Sequence, residues 1–256
     1  MGYGPDSLQT LWALIESHVP VGGRILDIGS QDIAAATPGD LLPIMSKLHG
    51  DRAEALIRQR FHEGETWKVA DLFEDSPYRH QSLDLYPGKS VLQADLNTFA
   101  VPGEYRGAFD LVSNAGTTEH IFDQANTFRC LHDFAKVGGV FWHSVPVTGY
   151  YNHALFNYHP LFFVFLARAN KYEIETASIS PPHLEHTIPT SSSLHGTEPW
   201  TGIRHFSGII NVVMKKTVEA PFQLFTDYDQ AVMGEQQQQD AWATMMKNRY
   251  DLRVHE

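Results

Sequence analysis

The chain has 256 residues, 43% of them hydrophobic, and carries 19 Lys and Arg against 30 Asp and Glu, a formal net charge of −11 at pH 7. This length suits one α/β domain over residues 1–256 with room for insertions, and the lack of clustered cations argues against nucleic acid as a partner. One cysteine, Cys130, excludes an internal disulfide framework; with no apolar run of about 18 residues and no basic-then-apolar leader, a cytoplasmic protein that does not engage membranes is expected.

Residues 8–18 read as an amphipathic helix. A short apolar strand, Arg24-Ile25-Leu26-Asp27-Ile28, then turns at Gly29-Ser30-Gln31-Asp32. In an α/β sheet this is where backbone meets a nucleotide-like ligand, and glycine there permits close approach. Alone, the run is equally a plain strand-to-helix turn. Gly29 and Asp84 lie 55 positions apart, whereas a βαβ unit needs only about 30 residues, so an insertion is expected within 33–78, with a helix over 41–61. Ser82-Leu83-Asp84-Leu85 is a second strand ending in an acid, Val91-Leu92-Gln93-Ala94-Asp95-Leu96 a third, and Phe109-Asp110-Leu111-Val112-Ser113-Asn114 a fourth. A helical pattern opens at Thr118-Glu119-His120 and closes at Lys136-Val137-Gly138-Gly139, before a fifth strand over 140–146. Residues 147–205, rich in Tyr, Asn, His and Pro, form a second insertion. Residues 173–180 and 209–215 read as strands, the latter an edge or hairpin strand with Lys215-Lys216 at its exposed end. A C-terminal helical segment finishes near Tyr250.

Strands alternating with helices predict an α/β fold, a Rossmann-like doubly wound, mostly parallel sheet with a C-terminal antiparallel edge strand and two insertions. Both insertions leave the carboxyl edge of the sheet, as a lid and substrate pocket would. The alternative is peripheral decoration or an oligomer contact, which admits a homodimer.

Leu26-Asp27-Ile28-Gly29, Leu83-Asp84, Ala94-Asp95-Leu96, Phe109-Asp110-Leu111-Val112, Glu119-His120 and Val137-Gly138-Gly139 together resemble the ordered motifs of class I S-adenosylmethionine-dependent methyltransferases. The likeness covers roughly residues 21–146, and it departs where Gln31 and Ile33 stand in place of loop glycines. It implies S-adenosylmethionine as cofactor and S-adenosylhomocysteine as product. Asp27 would then orient the amino acid head, Gly29 and Ser30 would bring backbone close, and Asp84 with Leu85 would hold the ribose. Asp95 and Leu96 would read the adenine, Asn114 would contact the methionine part, and the helix over 8–18 would cover the cofactor. Each acid could instead cap the following helix, which Asp and Asn do well. An NAD-dependent dehydrogenase shares the first turn, yet the three-glycine spacing is missing and Asp95 has no task in it.

Methyl transfer from a sulfonium needs alignment above all, and an oxygen or nitrogen acceptor can also need a base, a role suited to histidine. The chain has 14 histidines. His120, His143, His153 and His159 lie in reach of the expected site, the last two in an aromatic, amide-rich loop after the fifth strand. That loop suits a small polar acceptor, such as a sugar or natural-product intermediate. No metal is expected: His183, His186, His195 and His205 are spaced by prolines, serines and glycine, as in a loop rather than a coordination shell. The rival reading is a protein that binds S-adenosylmethionine without turnover, as a regulatory or scaffold subunit.

Overall fold

The computed structural model describes residues 2–62, 64–150, 153–180, 183–187 and 204–226, with the side chains of 183–187 and 204–206 excepted. The order is β1 (Gly2–Tyr3), α1 (Pro5–His18), β2 (Arg24–Ile28), β3 (Asp32–Ile33), α2 (Pro38–His49), α3 (Ala53–Arg60), β4 (Trp67–Lys68) and α4 (Val69–Phe73). There follow β5 (Arg79–Asp84), β6 (Val91–Gln93), β7 (Phe109–Ala115), α5 (Gln124–Phe134), β8 (Ala135–Thr148), α6 (Pro160–Asn170), β9 (Tyr172–Ile179), β10 (His183–Thr187) and β11 (Arg204–Lys216).

The main sheet runs β10-β11-β8-β7-β2-β5-β6, with β9 also paired to β11. Strands β6, β5, β2, β7 and β8 are mutually parallel, while β9, β10 and β8 all pair antiparallel with β11. Numbered by appearance, the parallel strands lie in the order 3-2-1-4-5, the doubly wound Rossmann arrangement, whose direction reverses between β2 and β7. The expected fold class is therefore the observed one. Strand β2 sits centrally between β5 and β7, which is why all of it beyond Arg24 is buried.

Helices cover both faces. On one, Leu8, Leu11, Trp12 and Ile15 of α1 pack with Leu41, Met45 and Leu48 of α2, Ile57 of α3 and Leu72 of α4. Proline at the first turn opens α1. Thr37 and Asp40 form a reciprocal capping box on α2. On the other face, Phe128, Leu131 and Phe134 of α5 pack with Phe163 and Leu166 of α6. Cys130 is buried among them and donates to the Phe99 carbonyl at 3.3 Å. Burial pushes its thiol up to about 11, which makes it an inert core group.

Several expectations are corrected. The 33–78 insertion packs a helical layer against the sheet, and α1 buries its apolar stripe in that layer. The helix over 41–61 breaks at Gly50, where φ is +58°. The pattern from Thr118 splits into a 3-10 turn and α5, because Asp123 caps α5 by accepting from the Asn126 N–H at 2.8 Å. Residues 136–139 belong to β8, and a bulge there absorbs the mismatch with β7. The strand over 209–215 is internal, held between β8 and β9. Its Lys216 is 1% exposed rather than at a free end. The ammonium donates to the carbonyls of His132 (3.1 Å) and Ala135 (3.0 Å), orphan acceptors at the C-terminal end of α5. Lys216→Met should therefore lower stability by about 1.5–3 kcal/mol, read by urea unfolding; an unchanged midpoint would remove the lysine from the account. Among the described residues no helix is long and apolar enough to cross a membrane. The C-terminal helical segment and His195 lie outside the described residues.

Candidate functional site

A cleft of about 480 Å³ opens beyond the carboxyl ends of β2, β5, β6 and β7, at the reversal of strand order where doubly wound sheets bind ligands. Its floor is the turn after β2. Gly29 has φ +88°, and its N–H donates to the Leu83 carbonyl at 2.7 Å. A Cβ there would lie 2.4 Å from Thr117 Oγ1 and 2.9 Å from Gln31 Nε2. Both the positive φ and the close approach demand glycine. Gly29→Ala should cost about 1–3 kcal/mol through backbone strain and displace Thr117, which unfolding midpoints test; a neutral effect would mean that the turn has slack.

Gln31 braces this turn. Its Nε2 donates to the Ile28 carbonyl and to Thr117 Oγ1, both at 3.1 Å, while Thr117 Oγ1 donates to the Ile28 carbonyl at 2.7 Å. Side-chain hydrogen bonds thus fix this loop.

Two acids at strand ends face the cleft. Asp84, closing β5, accepts from the Ser30 N–H (2.7 Å) through Oδ2 and from the Tyr86 N–H (3.0 Å) through Oδ1. It ties the first turn to the second, and each oxygen keeps a lone pair for a ligand hydroxyl. Asp95 accepts from the Asn97 N–H and Nδ2 through Oδ1, at 2.9 and 2.8 Å. Ser30, Leu85, Leu96, Thr117, His120 and Ile121 complete the walls. Gly29, Ser30, Asp84, Leu85, Asp95 and Leu96 thus come together around one cavity.

Asp27 and Asn114 do not line it. Asp27 is fully buried, accepting from His80 Nε2 (2.7 Å), Tyr3 Oη (3.2 Å) and Ser113 Oγ. The carboxylate points into the helical layer, where it ties β1, β5 and β7 together. Asn114 is also fully buried, donating through Nδ2 to Thr118 Oγ1 (2.8 Å) and meeting His143 Nδ1 at 3.1 Å. It fixes the 3-10 turn that carries Glu119 and His120.

The four candidate histidines separate. His143 is 1% exposed among Phe128, Phe141 and Phe163, and burial pushes it down to about 3, so it stays neutral in the core. His159 caps α6, with Nδ1 accepting from the Leu161 N–H at 3.2 Å. Neither lies at the cleft. His120 lines it, and the His153 ring packs edge-on against the His120 ring, centroids 4.8 Å apart. Burial lowers both below the usual histidine range, and His120 lowers His153 further. They are brought together because the Glu119 carbonyl accepts from the N–H groups of Leu155 (3.0 Å) and Phe156 (3.1 Å), pinning the loop after β8 to the turn after β7.

Glu119 itself is 0% exposed, and among the described residues neither carboxylate oxygen has a hydrogen-bond partner. Burial pushes the carboxyl up to about 7. Sequence reasoning placed Glu119 in a motif but gave it no role, since nothing local reports its burial.

No protein-family model matches this chain, and no curated protein matches it. Solved structures with similarity include the 1,6-didemethyltoxoflavin-N1-methyltransferase of Burkholderia thailandensis, with bound 1,6-didemethyltoxoflavin and S-adenosylhomocysteine; identity is 12%, coverage 84% of this chain and 78% of that one, and the TM-score 0.45. The [4+2]-cyclase SpnF is 11% identical over 84% of this chain and 82% of its own, with a TM-score of 0.45. The 16S rRNA (adenine(1408)-N(1))-methyltransferase of Catenulisporales acidiphilia is 12% identical over 86% and 96%, with a TM-score of 0.38. At such values the likeness adds nothing to what the strand order already defines.

Proposed function

We propose that this chain is an S-adenosylmethionine-dependent methyltransferase acting on an oxygen or nitrogen of a small polar molecule, such as a sugar or natural-product intermediate. The observation that carries the reading is the pairing of Asp84 and Asp95 at successive strand ends across one cleft from a glycine turn and a histidine wall. The residues present fit the cofactor. Asp84 would accept the ribose hydroxyls, Asp95 the adenine amine between the apolar walls of Leu96 and Ile121, and Ser30 and Gly29 would offer backbone to the amino acid end. When bound, S-adenosylmethionine supplies an already activated methyl group, so this chain need only hold the acceptor in line and exclude water. His120 and His153, both neutral near pH 7, can take a proton from the acceptor.

The binding-only reading rested on Gln31, and Gln31 is committed to bracing its own turn. Release of S-adenosylhomocysteine in the presence of hydroxylated and amino acceptors tests turnover directly. His153→Ala should lower that turnover by about a hundredfold or more with cofactor affinity unchanged; equal losses of both would assign the loop to folding or to the cofactor. Conversion of none of the acceptors while the cofactor still binds would favour the binding-only protein.

A further inference from the structure

The buried Glu119 carboxylate poses a chemical problem. A carboxyl group removed from water without hydrogen bonds is expensive in either protonation state, and native structures rarely leave one so. Next to it, His153 Nε2 is also buried and, among the described residues, without a hydrogen-bond partner. The ligand atoms of Glu119, His120 and His153 all lie within 4.8 Å of one another. Two unpartnered, lone-pair-bearing atoms converging with a third on one point are what a cation would satisfy together. Among the described residues the neighbouring phenols leave both carboxylate oxygens bare. Tyr158 Oη is taken up by Thr118 and Gln124, at 2.8 and 2.7 Å, and Tyr150, which packs on His153 and feels the Glu119 charge, forms no hydrogen bond to either oxygen.

We propose that Glu119, His120 and His153 form a site for one divalent transition-metal ion, whose open coordination positions face the cleft and receive a hydroxyl of the methyl acceptor. Two imidazoles and one carboxylate suit zinc, manganese, iron or cobalt better than magnesium or calcium, which prefer oxygen throughout. Ligand distances of about 2.0–2.2 Å require the three groups to draw in slightly around the ion, which the half-buried loop carrying His153 allows. Three protein ligands leave positions open, as catalytic sites need.

The proposal rests on the methyltransferase reading and deepens it by naming the acceptor class. An ion there would lower the pKa of a hydroxyl bound to it, so that His120 and His153 act as ligands rather than as free bases. The hydroxyl proton passes to water, an oxygen lone pair forms the bond to the methyl carbon, and the electron pair of the broken sulfur–carbon bond returns to sulfur. A hydroxyl with a second oxygen alongside, able to fill two open positions, is the acceptor such a site would favour. The ligands considered from sequence were others, and the side chains of His183, His186 and His205 lie outside the described residues.

Titration of Co²⁺ into chelator-stripped protein, followed by its visible absorption and by calorimetry, tests the site without needing the acceptor. Wild type should bind one equivalent. Glu119→Gln, which keeps the buried shape, and His153→Ala, on a surface loop, should each bind it at least about tenfold more weakly, with S-adenosylmethionine affinity unchanged in both. Equal Co²⁺ affinity in wild type and variants, or no stoichiometric binding by a protein that still binds S-adenosylmethionine, would overturn the metal site and leave the histidines as bases. Failure to bind S-adenosylmethionine at all would instead strike the methyltransferase reading.

Discussion

Replacing Asp27 with alanine should lower the unfolding free energy by about 3–5 kcal/mol, because three buried donors lose their acceptor at about 1–3 kcal/mol each, partly relieved by repacking. Three donors converge on this carboxylate, from His80, Tyr3 and Ser113, drawn from β5, β1 and β7. All are buried, and water cannot replace what alanine removes. His80 is further packed face to face on Phe73 (4.8 Å) and Tyr3 on Trp142 (5.5 Å), so the loss propagates into the helical layer. Asp27→Asn, which keeps an acceptor oxygen but not the charge, should fall between alanine and wild type. Chemical unfolding of the three proteins decides the matter. If alanine leaves stability intact and only weakens cofactor binding, Asp27 is a ligand-facing acid after all.

Acid should destabilise the protein through His143. Its ring ionises near 3 when folded, against 6.5 ordinarily, because burial disfavours the charged form and no acid lies beside it. A depressed folded value means that the stabilising contribution is complete above about pH 6.5 and is lost as pH falls towards 3. The full difference is about 4–5 kcal/mol. His143→Gln, which can still accept from Asn114, should flatten the decline in stability between pH 6.5 and 3. Nitrogen chemical shifts of the ring should show it neutral at pH 5. A protonated ring in folded protein at that pH would contradict the packing described here.

How much of this was legible differs from residue to residue. The parallel strands could be read because each apolar run ends in a turn and is separated from the next by a crossover. Asp84 and Asp95 could be placed at the cleft because one closes β5 directly after Leu83 and the other follows the end of β6 by two positions. Asp27 could not, because alternation along β2 sends its carboxylate inward, and the groups awaiting it, His80 and Tyr3, come from distant parts of the chain. His143 has the same explanation: a neutral imidazole in a strand looks identical in sequence whether it faces the cleft or the core. Lys216 reads as a strand-end charge until the open end of α5 is brought beneath it. The Glu119, His120 and His153 group was the least accessible, since bonds between distant segments, from the Leu155 and Phe156 N–H groups and from Tyr158 Oη, fold its members together.

The central claim is that Asp84 stands ready to hold the ribose of S-adenosylmethionine. Calorimetric titration of this cofactor into wild type and Asp84→Ala measures it most directly, with near-ultraviolet circular dichroism confirming that both are folded. Loss of charge-assisted hydrogen bonds to the ribose should weaken binding by about 1.5–3 kcal/mol, roughly tenfold to a hundredfold or more. Equal affinity in the two proteins, or no binding by wild type, would contradict the account.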